Sequence, residues 1–99
     1  MGMDLKPQRP HKDAPKWEDG KVKRGRYNNS GWCHFANWLE EKGVDISSFP
    51  FTNDGYKISA AKCKEVASVI EKHKSEYPWQ ADVDEDLILW QTCGGYRVY

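Results

Sequence analysis

The sequence has few large aliphatic residues and no apolar run approaching the ~20 residues needed to cross a bilayer. It opens on no signal-peptide pattern, and Met1-Gly-Met-Asp-Leu-Lys6 lacks the Ser/Thr of a myristoylation signal. There is no P-loop and no dinucleotide fingerprint, so nucleotide chemistry has no local support. Cysteines number 3, at Cys33, Cys63 and Cys93, with no C-x-x-C pair. Their even spacing is not a repeat, because the flanking residues do not resemble one another. These absences predict a reduced, cytoplasmic protein with no membrane partner and no cofactor.

Metal chemistry is equally ill supplied. Phe51-Thr-Asn-Asp-Gly-Tyr-Lys-Ile-Ser59 resembles part of a calcium loop, which needs ligands at positions 1, 3 and 5, Gly at 6 and Glu at 12. Placing Asp54 at position 5 puts Pro50 at position 1 and Ala61 at position 12. Placing it at position 3 puts Tyr56 and Lys57 at positions 5 and 6. Neither frame holds calcium, so the stretch reads as a turn feeding a helix. Zinc would need about four thiolate or imidazole ligands. Cys33 and His34 are adjacent on a helical pattern, about 100° apart, and no paired spacing supplies the rest. Buried or boundary thiols are the expectation. A cysteine-dependent enzyme, the remote alternative, would require Cys33 or Cys93 to meet a histidine.

What the chain does have is charge and aromatic surface. Of its 99 residues, 30% are charged and 13% aromatic, including 5 Trp and 5 Tyr. One small domain is the natural reading, with aromatic rings supplying much of the core at roughly 150–250 Å² each. Formal charge cancels overall, yet residues 1–26 hold eight Lys/Arg against four Asp/Glu, and the remainder is correspondingly acidic. Pro7, Pro10, Pro15 and Gly20 punctuate this basic segment. Residues 1–25 therefore read as a flexible basic arm, with Trp17 its one candidate for pinning, and 26–99 as the globular domain.

Within the domain, Asn29 or Ser30 is a natural N-cap, followed by Trp32, Phe35, Ala36 and Leu39 at helical spacing. Gly43 suits the left-handed position that closes this helix. Trp38 sits about 110° off the apolar face, as a boundary residue covered by the arm or as an anchor for a partner. Ile46 and Phe49 are inward plugs of the following connection. Ser59 caps a second helix whose apolar face runs through Cys63, Val66, Ala67, Ile70 and Tyr77, ended by Pro78. Asp82-Val-Asp-Glu85 has capping-box character before Leu87-Ile-Leu-Trp90, where strand is the alternative to helix. The fold predicted is α+β, mainly α: helices over about 30–42, 59–77 and 83–92, and a short strand pair involving 56–58 and 96–99.

Asn28-Asn29-x-x-Trp32, Asn53-Asp54-Gly55 and Cys93-Gly94-Gly95-Tyr96-x-Val98 occur in an order that resembles a family of small bacterial and phage proteins without assigned activity. The resemblance covers roughly residues 25–99. Ser30-Gly31 and Tyr56-Lys57 depart from the family's pattern, which weakens any metal argument further. It implies helix for Asp84–Thr92, and it implies that the three motifs gather. Asn28, Asn29, Asn53 and Asp54 would then form a polar cluster beside Trp32 and the Gly94-Gly95 turn. Such residues also cap helices and satisfy loop amides. The functional expectation is a non-enzymatic interaction module binding a protein, with Trp38, Trp79 and Trp90 as exposed aromatic candidates. The alternative is nucleic-acid binding through the arm.

Overall fold

A computed structural model describes residues 2–47, 49 and 56–98. Four strands form one antiparallel sheet: β1 (Gly2–Pro7), β2 (Gly25–Asn28), β3 (Tyr56–Ile58) and β4 (Tyr96–Val98), in the order β2-β1-β4-β3. Three helices, α1 (Asn29–Glu41), α2 (Ala60–Lys72) and α3 (Val83–Thr92), cover one face. The α+β architecture and the pairing of Tyr56–Ile58 with Tyr96–Val98 are as the sequence implies.

The flexible arm is not what forms. Met3-Asp4-Leu5-Lys6 alternates apolar and polar at the strand period. Met3 and Leu5 are buried in the core while Lys6 is exposed. β1 therefore lies inside the sheet, with Met3 opposite Tyr27 and Leu5 opposite both Gly25 and Val98. Beyond it, the amides of Gln8, Arg9 and His11 bond to the carbonyls of Gly95, Cys93 and Thr92. Trp17 does not pin the segment; it is 44% exposed, and Met3, Leu5 and Ala14 are the buried residues. Deleting residues 1–25 would remove an interior strand.

Local chemistry accounts for the helix limits. Asn28, extended at the end of β2, caps α1 in place of Asn29 or Ser30, its Oδ1 accepting from Gly31 N at 2.6 Å. Gly43 follows the C-cap at φ +92°, as its conformational freedom allows. Ser59 Oγ caps α2 by accepting from Lys62 N. That helix ends at Lys72, five residues short of the expected limit. A 3-10 turn at Lys74–Glu76 follows, and Tyr77 is extended, as a residue before proline prefers. This turns the Tyr77 ring inward, and Glu76 pairs with Lys42 (3.1 Å) and His73 (2.9 Å). Asp82 precedes α3 without a side-chain cap, because it closes a 3-10 turn and lacks the extended backbone of a capping residue. Residues 83–92 are helix, and Leu87 and Trp90 join the core with Val83 packed against it, while Ile88 is exposed.

Aromatic rings fill the centre. Fully buried Phe35 lies 5.2 Å from Tyr27, 5.6 Å from Trp90, 6.0 Å from Trp79 and 6.1 Å from both Trp32 and Tyr77, between ring centroids. Phe49 stacks on Trp32 at 5.5 Å. Trp38 and Trp90 are buried, so neither is an exposed anchor. Trp38 is covered by the rings of Phe35 and Tyr77, and Trp90 packs edge-on to Tyr96.

Candidate functional site

A cavity of about 250 Å³ opens where the end of β2, the start of α1, the turn after α2 and the first turn of α3 converge. Tyr27, Asn28, Gly31, Trp79, Asp82 and Asp86 line it. Each wall has a local cause. Asn28 is held as the α1 cap, and Gly31 leaves the space that a Cβ would contest with Asn28 Oδ1 and the Trp79 ring. Pro78 breaks the chain so that Trp79 lies against Tyr27, 5.6 Å between ring centroids, with His34 edge-on at 5.9 Å. Asp82 and Asp86, four residues apart across the start of α3, face the same side.

Behind the cavity lies a polar network. Tyr77 donates its hydroxyl to Asp86 Oδ2 at 2.6 Å, and Trp90 Nε1 donates to the Tyr27 hydroxyl at 3.3 Å. Burial pushes the Asp86 carboxyl up to about 6, assisted by the charges of Asp82 and Glu85 and opposed by the Tyr77 hydroxyl. Burial, with the Asp86 charge second, holds the Tyr27 hydroxyl well above its ordinary value. Asp84, Glu85 and Asp86 all lie in the first turn of α3, where they complement the helix dipole.

The residues singled out from sequence are distributed otherwise than expected. Asn28 reaches the cavity; Asn29 opens α1; Trp32 and Trp38 belong to the core. Asn53 and Asp54 lie outside the described residues. Gly94 and Gly95 form the turn between α3 and β4, at φ +64° and +103°, packed against Arg9 and the Ile58–Ala60 backbone. Asn28 pairs with Gly2 and Tyr96 with Pro7, at opposite ends of β1. At the usual strand rise this separates the Asn-Asn and Cys-Gly-Gly motifs by about 16 Å. Trp79, one of the three aromatic candidates, does line the cavity, whereas Tyr27, Gly31, Asp82 and Asp86 were missed as site residues. The i,i+4 spacing of the two aspartates was the visible signal for that pair.

No thiol lines the cavity described above. Cys63 and Cys93 are buried side by side, and Cys93 Sγ also contacts the Trp90 carbonyl at 3.5 Å. The neighbouring Cys93 thiol, then burial, push Cys63 far above the usual thiol range. Among the described residues, His11 contacts Asp13, His73 contacts Glu76, and no imidazole bonds to a thiol. Native-state alkylation is therefore expected to modify exposed Cys33 and to leave Cys63 and Cys93 unreacted until the fold opens. Mass spectrometry of alkylated peptides reads this directly, and rapid labelling of Cys93 would contradict the packing.

Among the described residues, no three His, Cys, Asp or Glu side chains gather as metal ligands, and no helix is long and apolar enough to cross a membrane. Compared with known proteins, the chain matches no family description, no curated protein and no solved structure.

Proposed function

We propose that this protein is a non-enzymatic interaction module that recognises a protein partner by enclosing one basic side chain between Trp79, Tyr27, Asp82 and Asp86. The observation that carries the reading is the convergence of two aromatic rings and two carboxylates on one small cavity. At about 250 Å³ it falls below the usual size of small-molecule sites, which suits a single side chain. An ammonium or guanidinium over a Trp face gains cation–π attraction, and guanidinium also matches a carboxylate in bidentate geometry. The helix dipole and the Tyr77 hydroxyl do not fully offset burial: Asp86 is half-buried and its pKa stays raised, so a bound cation would stabilise its charge further. The three free thiols suit a reducing, cytoplasmic setting. Likeness to small bacterial and phage proteins, carried by the motifs quoted above, adds no activity to this reading.

The test is a panel of short peptides, identical except for Arg, Lys, Gln or Glu at one position, measured by fluorescence anisotropy. The Arg and Lys peptides bind, and Trp79→Ala or Asp82→Asn weakens them about tenfold, as expected for ~1–2 kcal/mol of cation–π and ionic contact. The pH dependence follows from linkage. The cation prefers ionised Asp86, whose carboxyl protonates near 6, so affinity falls as pH drops through that value. In Asp86→Asn the fall between about pH 7 and 5 disappears. Equal retention of the Gln peptide, or an unchanged affinity in Trp79→Ala, refutes the assignment.

A further inference from the structure

The sheet face turned away from the helices carries an unusual charge arrangement. Lys6 on β1 stands directly opposite Arg97 on β4, and Arg97 directly opposite Lys57 on β3. Three cations thus lie in one row across adjacent strands, about 4.8 Å apart strand to strand. Like charges in directly opposed positions destabilise a sheet, so folding alone gives no reason for the row. Lys6 also borders a groove of about 310 Å³ shared with Pro7, Trp17, Lys21, Val22 and Arg24. That groove is made by a hairpin in which Lys16 bridges Val22 and the Trp17 amide bonds to the Lys21 carbonyl. The hairpin presents the Trp17 ring 44% exposed, beside Lys6, Lys21 and Arg24. None of Lys6, Lys21, Arg24, Lys57 and Arg97 pairs with a carboxylate among the described residues, whereas Lys23, Lys42, Lys62 and Lys74 all do. Among the described strand residues one carboxylate, Asp4, shares the face, opposite Arg26 in register.

We propose that this basic sheet face and the Trp17 groove form a binding site for single-stranded nucleic acid, with Trp17 stacking a base while the Lys6–Arg97–Lys57 row tracks the phosphates. Charge complementarity selects a polyanion. The exposed indole among the cations selects one that offers free π-faces, which a single strand does and a duplex does not. The site differs from basic-arm binding in kind, because its Lys6–Arg97–Lys57 row is fixed by strand register. It is also independent of the acidic cavity on α3.

The experiment uses the full chain and a fluorescein-labelled mixed-sequence 12-mer, single-stranded or annealed, over a salt series. The single strand binds, with a log K against log salt slope no steeper than about −3.5, the limit for five phosphate contacts. Trp17→Ala weakens it about tenfold, and Trp17→Phe restores most of the loss. Lys57→Glu flattens the salt slope by about 0.7, with an unchanged thermal melt as the check on folding. Asp82→Asn leaves oligonucleotide binding intact, which separates this site from the cation pocket. No binding at low salt overturns the proposal, as does equal affinity for duplex or for polyglutamate with no effect of Trp17→Ala.

Discussion

Replacing Phe35 with Ala lowers stability by about 3–5 kcal/mol, the range for removing a buried Phe ring. The upper end is expected here, because the ring meets six other aromatic side chains within 6.4 Å between centroids. Well-placed aromatic pairs add about 0.5–1.5 kcal/mol beyond area burial, and rings locked by so many neighbours collapse poorly into a cavity. A domain of this size has only about 5–15 kcal/mol in total, so the variant sits near its unfolding threshold. In a thermal melt followed by near-UV circular dichroism, the midpoint drops by about 15–30 °C, at 4–8 °C per kcal/mol. Ile88→Ala, on the exposed side of α3, is the control and should move the midpoint by no more than a few degrees. A small shift for Phe35→Ala would mean that the ring is not the centre of the core.

Gly94→Ala comes next in size, and for a backbone reason. Gly94 sits at φ +64°, where a side chain costs about 1–2 kcal/mol. A Cβ there would also overlap the Arg9 carbonyl, whose residue donates its amide to Cys93 O in the contact that leads the chain out of β1. Overpacking of this kind adds about 1–3 kcal/mol, giving a total near 3 kcal/mol. Gly43 isolates the conformational part: its φ is +92° and an added Cβ would meet nothing within 4 Å, so Gly43→Ala should cost only the conformational share of about 1–2 kcal/mol. Urea unfolding of both variants measures the difference. Equal losses would show that the Arg9 segment is not docked against the turn.

The helices were legible because each carries its apolar residues at helical spacing between a capping residue and a stop. Ser59, Cys63, Val66, Ala67 and Ile70 alone define α2 up to its last turn. Its true end was hidden, because the helix gives way to a 3-10 turn at Lys74–Glu76 before the extended Tyr77-Pro78 step is reached. β1 was hidden for another reason. Two apolar residues, Met3 and Leu5, are too few to outweigh the prolines and charges around them, and their burial depends on β4, which lies ninety residues away in the chain. The same non-locality concealed the cavity. The cap was read one or two residues late, at Asn29 or Ser30 rather than Asn28, and Tyr27 and Trp79 become neighbours only when β2 docks beside the turn after α2. Asp82 was legible only as a capping-box residue, and the wall it shares with Asp86 follows from that docking. The basic row is a register effect, since Lys6, Lys57 and Arg97 show no proximity until the strands align.

The most direct measurement on the functional account is a two-dimensional NMR titration of the folded chain with a blocked arginine amide at pH 7. Saturable shifts confined to the Trp79 indole, the Gly31 amide and the α3 start, absent in Asp82→Asn and weaker at pH 5, are the predicted result. Shifts spread over the surface, or none at Trp79 while the Trp17 indole moves, would contradict it.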